Sequence, residues 1–533
     1  MQYDGLLPTQ ISFAGTSTGT VTLTLQTTGL PSQLQLSSGA DVVTTAMGWD
    51  RDREQSSVDN FVLSRTGADR LPANMGDGIG QKVYGFNPSS QLIDSGLTVA
   101  TTVVSQVNLQ RDVMGRVVQR TETAAGVQSV RKFTYDQDGQ LTAVTNPAAA
   151  SLEQYAYDVN GNLISKTLAG VQTNIAYDSM DRITNAAGLT YSYDERGFLS
   201  SRGNDQFVYD TEGRLLNATI GGNTITYTYD ALKRRTSRLD AGGKIEYFYA
   251  NPNSIMQVTH VREADGVLST LYYDPAGILI AFDRGSSAAA VRYYVSTDNV
   301  GSPTVIANAA GLIVKQVSYS AFGEVLSETN PAFSSVLGFA GGLPDQVTGL
   351  VRFTYRDFEP ATGHWTGRDP VLFSAGQANI YIYAQNDPIN FRDPSGLYCV
   401  GASGYYGFGG GGKVCADEKG WSLCVEAGVG LGSSLGSETS GGGDSISLSG
   451  GASVSGGVGG IDGTVTRGFD LDKMESVYES SNGISFGNLG VKAKRDLKTG
   501  CFSNDASLDF GNAIEGAIFS FQLKANAEVC TRL

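Results

Sequence analysis

At 533 residues the chain is longer than one hydrophobic core usually organises, so several units or a repeat array are expected. It carries 68 Gly and 25 Tyr but only 2 His and 17% charged residues, a composition of short strands and tight turns. A net charge of −15 argues against nucleic acid as a partner, because phosphate binding needs a basic face, and it keeps a strand-rich surface soluble.

Met1-Gln2-Tyr3-Asp4-Gly5 lacks the basic and apolar regions of a secretory signal. No run of about 18 apolar residues offers a transmembrane helix. The opening is itself a Tyr-Asp-Gly element, which sets the expectation of an excised C-terminal portion of a longer array. Residues 1–110 read as strands and turns of a degenerate repeat, for example Gly19-Thr20-Val21-Thr22-Leu23-Thr24-Leu25.

From residue 111 to 290 one pattern recurs. It stands as Tyr135-Asp136-Gln137-Asp138-Gly139-Gln140-Leu141, Tyr157-Asp158-Val159-Asn160-Gly161-Asn162-Leu163, and again at Tyr193-Asp194, Tyr209-Asp210 and Tyr273-Asp274. Tyr177-Asp178 and Tyr229-Asp230 lack the Gly, and Asp112 to Gly115 lacks the Tyr. This spacing is that of one supersecondary unit per repeat. Asp at the first turn position accepts backbone N–H groups, and Gly three residues on supplies the positive φ that returns the chain into a hairpin. Flanking runs such as Phe133-Thr134-Tyr135 and Ile225-Thr226-Tyr227-Thr228-Tyr229 alternate as half-buried strands do. One hairpin is barely stable, so neighbours are expected to pair into one long sheet. A calcium loop would need Gly at its sixth position and Glu at its twelfth, whereas Gly comes fourth here, so these are turn residues.

The pattern resembles the YD repeats of Rhs proteins, which are similar to the shell-forming subunits of insecticidal toxin complexes. That resemblance implies a spiral of β-hairpins around a hollow interior. In so short an array, an open curved sheet stands beside a closed cocoon as the expected form. After Tyr319-Ser320-Ala321-Phe322-Gly323-Glu324, residues 291–397 resemble the Rhs-associated core box. Its marks are Arg356-Asp357-Phe358-Glu359-Pro360, Gly367-Arg368-Asp369-Pro370, Asn386-Asp387-Pro388 and Asp393-Pro394-Ser395-Gly396-Leu397. The family box implies an aspartyl autoprotease, with Asp369 and Asp393 as its carboxylates, Arg356 as supporting cation and Leu397–Tyr398 as the scissile bond. Two carboxylates held close cannot both ionise, so one keeps a proton as acid while the other activates water. The family's usual Tyr after this arginine is here Asp357, a charge expected to compete for Arg356. Asp-Pro pairs are also ordinary turn formers, so Asp369, Asp387 and Asp393 have a capping role as the rival reading. His364 reads as a surface residue at a variable position of the box, and His260 has no partner pattern.

Composition changes at residue 398. All five cysteines (Cys399, Cys415, Cys424, Cys501 and Cys530) lie beyond it, with Gly-Ser tracts at 407–412 and 440–460. The odd count leaves at least one thiol free and permits up to two disulfides in an oxidising compartment. Alternation from Trp421 to Leu431 and from Phe519 to Val529 predicts an antiparallel sheet with one apolar face. Gly409–Gly412 reads as linker. No His, zinc spacing or phosphate loop occurs in this tail.

The fold class expected is therefore all-β, a tandem-hairpin YD-repeat spiral or shell closed by a core box and followed by a Gly-rich β tail. The divisions are 1–110, 111–290, 291–397 and 398–533. In function the resemblance implies a delivery protein that encloses the tail as cargo and releases it after Leu397. It further implies secretion-system delivery proteins and an immunity protein as partners, and a secreted or cell-surface location reached without a signal peptide in this chain. Two other classes stand beside it: a cell-surface structural or adhesive repeat protein without cleavage, and a pore-forming tail whose partner is a target membrane. No cofactor or metal is expected.

Overall fold

The computed structural model describes residues 2–4, 7–13, 18–67, 70–286, 289–372 and 378–397, and beyond them the backbone of short strands only. The chain divides into two compact units, Met1–Tyr406 and Gly407–Leu533.

Among the described residues the first unit contains one antiparallel meander of 32 strands, from Gln2–Asp4 to Val325–Glu328, in which each strand pairs with the next in the chain. Its turns are of two chemistries. At the Tyr-Asp end, Asp136 Oδ1 accepts the N–H groups of Asp138 and Gln140 at 3.0 and 2.8 Å, and Gly139 follows at φ +84°. The register slips by one residue there, a bulge that aligns Tyr135 with Leu141. At several turns of the opposite end, two residues at positive φ make the tight hairpin, as at Ala125-Gly126 and Ala169-Gly170.

The recurrent Tyr and Arg have their own work. Several of the Tyr hydroxyls donate to a carbonyl of the preceding repeat: Tyr135 to Val117 at 2.6 Å, Tyr157 to Leu141 at 2.7 Å, Tyr177 to Leu163 and Tyr229 to Leu215 at 2.9 Å. An Arg following several of the turns pairs with its own Asp and lies over the next Tyr. Arg116 Nε donates to Asp112 at 2.8 Å, and its guanidinium sits 4.8 Å from the Tyr135 ring centre. Arg234 does the same with Asp230 and Tyr249. Side chains alternate as the sequence predicts, with Ile225 and Tyr227 buried and Thr226 outside.

The sheet coils past its own start. Phe61, Met75 and Leu97 share a core with Tyr272, Ile280 and Tyr294, while Val21 and Leu36 share another with Phe248 and Leu268. Ion pairs cross the same seam: Arg292 reaches Asp59 and Asp77, both at 2.8 Å, and Arg262 reaches Asp41. The array is thus long enough to overlap itself, and the expectation of a merely open curved sheet gives way to a coil.

Residues 339–393 add a small sheet of Leu343–Asp345, Leu350–Arg352, Asp357–Glu359 and His364–Trp365. This segment packs against the buried face of the repeats. Arg238 donates to Asp345, Arg202 to Glu359 and Tyr381 to the Gly197 carbonyl, while Asn386 donates to the Gly161 carbonyl and Asn390 to the Tyr135 hydroxyl.

In the second unit Gly409–Asp417 pairs antiparallel with Gly420–Gly428, so Gly409–Gly412 belongs to a strand and is not linker. Gly backbone pairs as well as any other when a partner strand is present. Gly420–Gly428 also pairs parallel with Leu448–Gly451, so this sheet is mixed where an antiparallel one was expected. The cysteine pairing, the apolar face and the pore reading concern side chains outside the described residues.

Candidate active site

Arg356, Asp369 and Asp393 lie apart in sequence and meet in space. Arg356 immediately precedes the strand Asp357–Glu359. Asp369 opens a turn in which its Oδ1 accepts the Val371 N–H at 2.9 Å, while its own N–H donates to the Ile380 carbonyl at 3.0 Å. Asp393 opens the last turn, where Oδ1 accepts from Gly396 N at 2.7 Å, Leu397 N at 3.1 Å and Ser395 Oγ at 3.2 Å. Both aspartates therefore use one oxygen as a turn cap, as in the repeats. The other oxygen of each faces Arg356: Nη2 lies 2.8 Å from Asp369 Oδ2 and 3.1 Å from Asp393 Oδ2. Capping and pairing coexist in the same two residues.

The site is buried, with Arg356, Asp369 and Asp393 all 6% exposed or less. Burial pushes the Asp369 carboxyl up to about 6, against the pull of Arg356 and the Val371 N–H, and Asp393 adds to the rise. Asp393 is raised by burial as well, opposed by Arg356 and by the N–H groups of Gly396 and Leu397. One guanidinium neutralises one carboxylate, so the cluster is neutral when the pair holds one proton. Asp393 has the richer set of donors and is the one better held as carboxylate, which leaves the proton to Asp369.

The same arginine grips the chain beside the expected cut. Arg356 Nε donates to the Gly396 carbonyl, and Tyr355 N donates to the Ser395 carbonyl at 2.9 Å. Gly396 sits at φ +80°, and a Cβ there would come within 3.0 Å of Arg356 N, so this position needs glycine. Leu397 is thereby tied through its N–H to Asp393. Tyr398, the other side of the bond, lies outside the described residues.

Two expectations about neighbours are corrected. Asp357 does not compete for Arg356: Arg235 reaches it at 2.9 Å and Arg352 at 2.7 Å, all three buried. Its charge is satisfied by Arg352 on the neighbouring strand of the small sheet and by Arg235 from a repeat strand far upstream. His364 is no surface residue but 2% exposed, its Nε2 3.1 Å from the Tyr177 hydroxyl, and burial pushes its imidazole down to about 3. His260 is also buried, with Nδ1 3.0 Å from Thr259 Oγ1. Asp387 caps its own turn, accepting the Asn390 N–H at 3.1 Å. Sequence reasoning missed Trp365, whose ring lies under the Arg356 guanidinium at 4.1 Å.

The family model Teneurin YD-shell matches residues 56–389, more than half of the chain. Teneurin-1 of Gallus gallus is 35% identical over 318 residues, covering 57% of this chain and 12% of the relative. Teneurin-3 of Danio rerio is 36% identical over 302 residues, covering 53% and 11%. The chain thus corresponds to a small part of the length of those relatives. Among solved structures, a TcdB2-TccC3-Cdc42 crystal structure superposes with TM-score 0.61 at 17% identity, covering 72% of this chain and 22% of that one. The Photorhabdus luminescens Tc holotoxin pore gives 0.56 at 15%, covering 72% and 23%. At such identity the likeness concerns the fold, and that fold is the YD-repeat shell the repeats predict.

Proposed function

The chain belongs to the Teneurin YD-shell family, and we propose that its coiled shell, residues 1–397, cuts its own chain after Leu397 and so frees residues 398–533. The observation that carries this reading is one buried guanidinium holding two carboxylates and, through Nε, the carbonyl next to the scissile residue. Asp393, ionised, takes a proton from a water that attacks the Leu397 carbonyl carbon. Asp369, protonated, gives its proton to the Tyr398 nitrogen as the carbon–nitrogen bond breaks. The products are the Leu397 carboxyl and a new amino terminus at 398.

On this reading 1–110 and 111–290 are shell, 291–397 is the cutting box and 398–533 is cargo, a variable effector. The neighbour TcdB2-TccC3 has also been solved "without hypervariable C-terminal region", which supports a separable tail of that kind. Delivery proteins, an immunity protein and a secreted or cell-surface setting belong to the same proposal. The test is expression of the full chain beside Asp369→Asn and Asp393→Asn. The parent is expected to separate into shell and tail on a denaturing gel, and each variant to run as one species. Equal cleavage in all three would overturn the reading.

A second reading is an uncut structural shell of adhesive type, in which the box only plugs the coil. The identity to teneurins, about twice that to the Tc structures, favours it, as does the capping role of each aspartate. It predicts a single full-length species for the parent chain.

A further inference from the structure

Arg356 is the pivot of the site, and besides its bonds to the two carboxylates and to the Gly396 and Ile380 carbonyls its guanidinium lies against a ring outside the reacting set. The guanidinium carbon lies 4.1 Å from the Trp365 ring centre. Trp365 is 1% exposed and is itself immobilised: its backbone N–H donates to the Tyr381 carbonyl at 2.9 Å. Its ring meets Phe353 edge-on at 5.5 Å, Phe358 at 5.6 Å and Tyr383 at 5.4 Å. Stacked on that ring, the guanidinium presents Nε to Gly396 and Nη2 to both carboxylates.

We propose that Trp365 is a positioning residue for cleavage, its π face holding the Arg356 guanidinium in the plane that serves Asp369, Asp393 and the Gly396 carbonyl together. This role rests on the cleavage reading above. A tryptophan that only filled space would act through its volume, whereas a cation–π platform acts through the electron density of the ring. The acids that face the guanidinium are Asp369 and Asp393, since Asp357 is taken by Arg235 and Arg352. Phe353, Phe358 and Tyr383 bring no further charge to that side. Loosening the stack withdraws positive potential from both carboxyls and moves the window in which the pair holds one proton to higher pH.

The experiment uses the full chain made by cell-free translation, with 5,6,7-trifluorotryptophan placed at 365 alone. Fluorine drains the ring face while nearly keeping its shape. A labelled pulse is chased at several values between about pH 5 and 8, and the cleaved fraction is followed in time beside Trp365→Leu and Asp369→Asn. The fluorinated chain is expected to cleave about tenfold more slowly, at the same bond, with its rate–pH profile displaced upward. Trp365→Leu is expected to be slower still; should it misfold, the fluorinated chain decides alone. Parental rate and profile in the fluorinated chain, with Asp369→Asn inert, overturn the role of Trp365 and leave the cleavage reading intact. Cleavage in Asp369→Asn overturns the cleavage reading itself.

Discussion

Replacing Asp369 by Asn should make the shell more stable as pH rises from acid to neutral. The Asp369 carboxyl is 4% exposed and titrates near 6 against an ordinary 3.8. A carboxyl raised in the folded state binds its proton more tightly folded than unfolded. Its favourable contribution is complete below pH 3.8 and is lost as pH rises through about 6. At about 1.4 kcal/mol per pH unit, the loss amounts to about 3 kcal/mol above pH 6. Asn cannot ionise and leaves Arg356 paired one-to-one with Asp393, so it escapes the loss. Both proteins would carry Tyr398→Pro to keep the chain uncut, and guanidinium unfolding would be measured from about pH 4 to 8. The stability difference between them should widen in favour of Asn by up to about 3 kcal/mol across that range and then level off. A difference independent of pH, or one that narrows as pH rises, would refute the assignment of the shared proton to this pair.

Other consequences lie in the shell and its docked box. Asp357→Ala strands the buried Arg235 and Arg352 and should cost about 3–5 kcal/mol in guanidinium unfolding, against little for a surface aspartate such as Asp138. Tyr157→Phe removes the 2.7 Å bond to the Leu141 carbonyl and should cost about 1 kcal/mol by the same assay. The imidazole of His364, held down to about 3 by burial, should show no change in ring chemical shift between about pH 5 and 8; a midpoint near the usual histidine value would contradict its placement.

How far the sequence carries depends on the range of the interaction. The hairpins are legible because a turn is a local event: Asp136 caps N–H groups two and four residues on, and Gly139 lies three residues on. The role of a repeat Tyr such as Tyr157 is not, because its hydroxyl bonds a carbonyl in the preceding repeat, and hydrophobic alternation describes only where the ring goes. The triad of Arg356, Asp369 and Asp393 came from a family resemblance, and the structure brings the three together. Asp357 was misjudged because its partners, Arg235 and Arg352, sit on strands whose arginines look like ordinary surface charge in sequence. His364 was misjudged for a kindred reason: the Tyr177 strand that covers it is nearly two hundred residues upstream. Trp365 gave no signal of its own, since a buried tryptophan beside glycine and threonine reads as core.

The central claim, that the box cuts its own chain, is tested most directly by the intact mass of the purified protein. The account predicts two masses, one for residues 1–397 and one for a fragment that begins at Tyr398. A single mass for all 533 residues, in protein folded at about pH 6, would contradict it.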